Sequence, residues 1–184
     1  MQIHQTLLEV VRASALDVEA DALVNAANRA MRGGGGIDGV IHSRAGRDLM
    51  NELEMIAPDG AETAEVVVTS GYHLPHPFVF HVAGPIWKDS RADECDQLLE
   101  AAYRNALTEA DARRLQTIVF PSISTGVYAF PLSRAAKIAL ATARDFLLGH
   151  PETSLERVTF AMWGGEEHHV FARALEQLER EGDS

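Results

Sequence analysis

Short apolar or β-branched runs recur at residues 7–11, 22–24, 65–69, 78–83, 117–120 and 158–163, bounded by polar or turn-forming residues. Runs of this length predict six strands. Between and after them, apolar positions fall into helical spacing. Leu99, Ala102, Tyr103, Ala106, Leu107 and Ala110 precede the fifth run; Leu132, Ala135, Ala136, Ala139, Ala143 and Phe146 follow it; Val170, Phe171, Ala174, Leu175 and Leu178 close the chain. Strands alternating with amphipathic helices predict a three-layer α/β/α fold with a mixed, largely parallel sheet covered on both faces. No internal repeat or linker divides the pattern, so one domain is expected over residues 1–184, with a frayed tail at 179–184.

In open sheets of this kind ligands sit beyond the carboxyl ends of the strands, which directs attention to the loops that follow them. The first such loop runs Asn25, Ala26, Ala27, Asn28, then Arg29 to Arg32, then Gly33, Gly34, Gly35 and Gly36, and continues into Ile37, Asp38, Gly39, Val40, Ile41 and His42. Four successive glycines sacrifice conformational entropy, which points to a backbone that something approaches closely. Ile37, Val40 and Ile41 at helical spacing place the glycines at a helix N-terminus, an arrangement that cradles anions. A flexible surface loop is the alternative reading of the glycines.

The second loop, after 117–120, reads Pro121, Ser122, Ile123, Ser124, Thr125, Gly126, Val127, Tyr128, Ala129, Phe130, Pro131. Its hydroxyls and consecutive N–H groups suit phosphate oxygens, and Tyr128 and Phe130 offer flat faces to a sugar or base. No Gly-Lys-Ser/Thr follows the glycines, and the spacing is not that of a dinucleotide fingerprint, so nucleotide hydrolysis and redox chemistry lose ground. Neither Ser122 nor Ser124 lies in a Gly-x-Ser-x-Gly frame, which disfavours a serine-hydrolase elbow.

The net charge of −11 argues against a polymeric nucleic-acid partner, because such affinity needs many Lys and Arg contacts to phosphate. One diphosphate can still be held by backbone N–H groups in an acidic protein. With 46% hydrophobic and 23% charged residues the balance is that of a globular protein. No run reaches the roughly 20 apolar residues of a membrane span, and no secretory leader pattern opens the chain, so a cytoplasmic location and no membrane partner are expected. The single cysteine, Cys95, has neither an internal disulfide partner nor Cys/His neighbours at zinc spacing, so no metal and no cofactor are expected.

At these two loops the sequence resembles the macrodomain family, in its MacroD-type branch of ADP-ribosyl hydrolases. The matching stretches are 21–28, Gly33 to His42 with Ala45 and Gly46, 70–75, 81–87 and 120–131, in family order. The resemblance implies a six-stranded sheet between helices, with ADP-ribose or an ADP-ribosylated protein as partner. It implies that Asn28 and Asp38 are catalytic, Asn28 holding the distal ribose and Asp38 serving there as base or water-orienting group. Gly33, Gly34, Gly35 and Gly36 would wrap that ribose and the diphosphate, and Asn25 and Ile37 would also contact the ligand. Ser124, Thr125, Gly126, Val127 and Tyr128 would hold phosphate through their backbone, Phe130 would pack beside the distal ribose, and Trp163 would lie against adenine. The family usually carries an Asp that accepts from the adenine amino group; seven residues before Asp21 this chain has Ser14, which loses the charge-assisted contact. Asp17 would replace it only after a loop rearrangement.

Without the family, Asp38 is a carboxylate beside a glycine-rich backbone at a helix start and can accept a proton from water; a helix-capping role is the alternative. His42 lies one turn further, where helix packing is the simpler reading, and His81 sits in an apolar strand as a core histidine. Adjacent His168 and His169 share no helical face for metal, and Cys95, between Glu94 and Asp96, lacks the positive surroundings that activate a thiol. Arg29 and Arg32 either steer an anion or form a solvated loop edge. Three functions fit: an enzyme removing ADP-ribose esters, from O-acetyl-ADP-ribose or from protein Asp/Glu; a non-catalytic ADP-ribose reader; or a macrodomain retuned to another nucleotide or an RNA end.

Overall fold

The computed structural model describes residues 1–182. In chain order the strands are β1 (Gln2–Ile3), β2 (Thr6–Val11), β3 (Ala22–Ala27), β4 (Val66–Ser70), β5 (Phe78–Ala83), β6 (Thr117–Phe120) and β7 (Arg157–Ala161). The helices are α1 (Gly36–Ala45), α2 (Arg47–Ile56), α3 (Ala92–Ala112), α4 (Leu132–Gly149) and α5 (Gly165–Gly182). They form one seven-stranded sheet in the order β1-β2-β7-β6-β3-β5-β4. The strands from β2 to β5 in that order pair in parallel, and β1 and β4 close the two edges antiparallel.

The sheet therefore has seven strands where the apolar pattern predicted six. The extra strand, β1, has only two residues and turns at once through His4, whose φ is 51°. Two residues are too few to show any alternation. A second difference concerns β3, which runs to Ala27 where the pattern stopped at Val24, because polar Asn25 reads as a strand end until its buried partners are known. Helix α2 was not assigned from the sequence; only Leu49 and Leu53, one turn apart, are buried in it.

Central strands are almost wholly apolar because both faces are covered. On one face Val24, Phe80, Phe120 and Phe160 pack against Tyr103 of α3, Ala136 and Leu140 of α4 and Phe171 of α5. On the other, Leu23, Val79, Val119 and Ala161 pack against Ile41 of α1 and Leu49 and Leu53 of α2. At the amino edge the Asp21 carboxylate accepts the N–H groups of Gln116 and Thr117 at 2.8 and 2.9 Å, which pins the start of β3 to that of β6. That register carries the ends of both strands to the same carboxyl edge. Helix α5 extends to Gly182, past the point where fraying was expected. Gln177 bonds Glu181 at 3.1 Å and the N-terminal ammonium meets Glu179 at 2.8 Å, which ties the last turns down; residues 183–184 lie outside the described residues. No helix among the described residues is long and apolar enough to cross a membrane.

Candidate functional site

The site is built where β3 and β6, neighbours in the sheet, release their chains. Beyond β3, Asn28 begins a loop anchored by the buried side chain of Met31; the backbone N–H of Met31 returns to the Asn28 carbonyl at 3.1 Å. Asn28 Nδ2 donates to the Gly33 carbonyl at 2.9 Å, while its Oδ1 is buried with no partner. Gly36, at φ +59°, opens α1 and Gly35 occupies its N-cap position with no side-chain cap. The glycine run thus does lead into a helix N-terminus, where the first-turn amides have no acceptor within the helix. Gly33, Gly34 and Gly35 likewise donate to no protein acceptor among the described residues. Gly39 is the less obvious requirement. A Cβ there would come within 2.5 Å of the Gly34 carbonyl oxygen, so the loop can lie on the helix only over a glycine.

Asp38 does not cap α1. It is the third helical residue and 4% exposed, and its Oδ1 accepts from Asn25 Nδ2 at 2.7 Å with His42 Nε2 at 3.3 Å. Among the described residues no protein donor reaches Oδ2. A Cβ on Gly34 would lie 3.1 Å from Asp38 Oδ2 and 3.2 Å from Asn28 Nδ2, so both candidate catalytic groups converge on the Gly34 backbone. Asn25 is fully buried, with His81 Nδ1 3.0 Å from the same Nδ2, and His81 Nε2 lies 3.0 Å from Thr69 Oγ1. Asn25 was expected to line the ligand; its position is behind Asp38 instead, because β3 continues through it and turns its side chain under α1.

The second loop is held from beneath. Tyr103 Oη accepts the Ile123 N–H at 3.0 Å, Phe130 N–H reaches the Ser124 carbonyl at 2.9 Å, and Trp87 N–H reaches the Tyr128 carbonyl at 2.9 Å. Ser124 adopts φ 67° and Ala129 φ 55°, which turns the intervening backbone outward. Among the described residues the amides of Ser124, Thr125, Gly126, Val127 and Tyr128 donate to no protein acceptor. A run of unpaired N–H groups on a rigidly tied loop is an anion cradle. Gly84, following β5, makes room for it: a Cβ there would meet Ser124 Oγ at 2.1 Å. Phe130 is buried with its ring 4.8 Å from Trp87, so it supports this loop and presents little face to the cleft. Val127, at 99%, projects into solvent and contributes backbone only.

At the far end of the same edge the pairing of β2 and β7 continues through Ala13 N–H to the Met162 carbonyl, at 3.2 Å. Ser14 and Trp163 each follow directly on this bonded pair, and Trp163 is 81% exposed. Ser14 Oγ accepts the Leu16 N–H at 3.3 Å and keeps its own proton to donate. Asp17 faces Arg44 at 3.4 Å, away from that role. Arg29 is paired with Glu62, and the Arg32 guanidinium donates to the carbonyls of Met31, Ala57 and Pro58, so both arginines secure the loop edge. Cys95 is buried in α3.

Comparison with known proteins places this arrangement. Residues 24–139 match the Macro domain family. A Macro domain-containing protein of Cupriavidus necator is 42% identical over 170 residues, covering 91% of this chain and 96% of its own. An O-acetyl-ADP-ribose deacetylase of Salmonella newport is 39% identical over 172 residues, covering 92% and 94%. The solved structure of an Oceanobacillus iheyensis macrodomain with ADP superposes with a TM-score of 0.91 at 36% identity, covering 98% of this chain and 96% of that one. This chain belongs to the macrodomain family.

The buried histidines make stability depend on pH. Burial lowers His81 to about 3, with repulsion from His42 adding to the shift and Asp38 opposing it. Burial also lowers His76, against the effect of its bond to the Val18 carbonyl. In the unfolded chain these rings take up protons from about pH 6.5 downward, whereas the folded chain keeps His81 neutral until near pH 3. The unfolded state therefore binds more protons between those values, and stability falls with acid by on the order of 1 kcal/mol per pH unit for one such group. Urea denaturation between about pH 7 and pH 4 should show that decline, and His81→Asn should flatten it. Identical pH dependence in the two proteins would contradict the assignment.

Proposed function

We propose that this chain is a single macrodomain that binds ADP-ribose along the carboxyl edge of its sheet and hydrolyses an ester on the distal ribose. The observation that carries the reading is the pairing of Asp38 Oδ2, free of protein donors, with Asn28 over the Gly34 backbone, at one end of two runs of unpaired amides. The amides of Ser124 to Tyr128 and of the glycine loop would take the diphosphate, which an acidic protein can hold through backbone dipoles. Asn28 would hold the distal ribose. The names of the Salmonella deacetylase and of the ADP-bound Oceanobacillus macrodomain support this ligand class.

In the reaction, water attacks the acyl carbon of an acetyl group or of a protein Asp/Glu ester. Asp38 Oδ2 accepts a proton from that water and, as the bond from acyl carbon to ribose oxygen breaks, that proton passes to the ribose oxygen, which leaves as a hydroxyl and restores the carboxylate. One ester and one water give one carboxylic acid and one alcohol. The bound diphosphate helps orient the water, so no second protein base is required.

The geometry makes Asp38→Asn a pointed test. Asn25 Nδ2 donates to Oδ1 and His42 Nε2 lies 3.3 Å from the same atom, so the substituted amide would keep its oxygen there and turn its NH2 toward the cleft. The basic oxygen is then replaced by a donor. Turnover of O-acetyl-ADP-ribose should fall by roughly 10²–10⁴, with ADP-ribose affinity by calorimetry changing much less. Turnover within twofold of the parent would remove Asp38 as base. A parent that binds ADP-ribose and hydrolyses neither ester is a reader.

At the base end, Ser14 supports a relaxed choice of purine, since a hydroxyl can accept from an amino group or donate to a carbonyl. ADP-ribose and its inosine analogue should bind within a few-fold of each other. Ser14→Asp, which keeps the cap on Leu16, should favour adenine by about tenfold through a charge-assisted bond. A strong adenine preference in the parent would assign that contact to another group.

A further inference from the structure

Behind the cleft a polar chain crosses an otherwise apolar layer. Asn25 and His81 are register partners on β3 and β5, Thr69 lies on β4, and all three side chains are buried on the face that also carries Leu23, Val79, Leu49 and Leu53. Filling this layer with aliphatic side chains would avoid the desolvation of an amide, an imidazole and a hydroxyl. The chemistry of the contacts is tightly constrained. Asn25 Nδ2 is 2.7 Å from Asp38 Oδ1 and 3.0 Å from His81 Nδ1, and it has two hydrogens and no acceptor capacity. One hydrogen goes to each neighbour, so Nδ1 of His81 must be bare. The ring proton is then on Nε2 and is donated to Thr69 Oγ1 at 3.0 Å. Reversing the amide would press its oxygen against a carboxylate oxygen in a site closed to water.

We propose that His81, held by Thr69 in its Nε2–H tautomer, is a positioning residue that fixes the Asn25 amide, so that Asn25 occupies Asp38 Oδ1 and Oδ2 is left for the cleft. The role in turnover rests on the reading of Asp38 given above. The depressed basicity of the buried ring agrees with it, because a protonated imidazole would set an Nδ1–H against the N–H of Asn25. The orientation of a residue at the cleft is thereby decided two side chains away, by a fully buried residue of β5.

Three substitutions separate positioning from filling space. His81→Asn sets an amide oxygen near the place of Nδ1 and can still accept from Asn25, though it stops short of Thr69. His81→Gln reaches toward Thr69 and puts no acceptor beside Asn25. Thr69→Val removes the acceptor of Nε2–H with little change in volume. Nitrogen-15 NMR of the ring in the parent should show a bare Nδ1 and a protonated Nε2, and Thr69→Val should shift the ring toward a mixture of tautomers. In O-acetyl-ADP-ribose hydrolysis, His81→Gln should lower kcat about ten- to a hundredfold with KM within about twofold, as for a small misplacement of a reacting group. His81→Asn should recover most of that loss even where its melting temperature is no higher than that of His81→Gln. A parent ring protonated on Nδ1 would overturn the proposal, as would equal kcat in His81→Asn and His81→Gln at any stability. A parent with the expected ring spectrum but no ester turnover would instead overturn the hydrolase reading, because the spectrum needs no activity.

Discussion

Asp38 is 4% exposed, and a carboxylate taken that far from water has to be held by donors or it destabilises the fold. Here the contacts come from one side. Asn25 Nδ2 and His42 Nε2 both meet Oδ1, and the second oxygen is turned toward the glycine loop. Much of the site follows from this asymmetry. It requires β3 to continue through a polar residue, β5 to present a histidine in register with it, and α1 to begin so that its third residue stands over both. Burial makes such supports costly to leave unpaired: the chain from Asn25 Nδ2 through His81 to Thr69 satisfies the donors, while Asn25 Oδ1 stays buried without a partner.

Around that carboxylate the protein offers backbone. The two loops expose amides without acceptors among the described residues, and the steric conditions for doing so are met by glycines outside the two runs. Gly39 lets the first loop lie on α1, and Gly84 leaves room for Ser124 beneath the second. Left-handed backbone at Ser124 and Ala129 is sustained by the bonds from Tyr103, Phe130 and Trp87, all rooted in packed elements. A chain with net charge −11 can thus present a local anion site, because fixed dipoles act over the short range where the overall charge is screened.

Much of this was legible in the sequence, and what was not has physical causes. The apolar runs at 78–83 and 117–120 coincide with β5 and β6, since central strands covered on both faces have a near-continuous apolar signature. The glycine run before Asp38 and the hydroxyl-rich run at 122–126 announce themselves by composition. By contrast β1 is too short to alternate, and Asn25 looks like a strand end because its partners are distant in sequence. His81 lies 56 positions from Asn25, and only the register of β3 with β5 reveals that the two touch. The reading of His81 as a core histidine holds for its burial, while its contacts carry information that periodicity does not. Phe130 and Tyr128 are equally aromatic in the sequence, yet one is sealed against Trp87 and the other half-buried, a distinction made by loop geometry alone.

In the proposed complex Asp38 Oδ2 faces the distal ribose of a ligand whose diphosphate lies on the two amide runs. A crystal structure of this protein with ADP-ribose would show whether it does. A distal-ribose hydroxyl should lie within about 2.6–3.2 Å of Asp38 Oδ2, with the Asn28 side chain on the same sugar and Oδ1 still held by Asn25. A bound ligand whose distal ribose points to solvent, with Asp38 Oδ2 contacting no part of it, would contradict it.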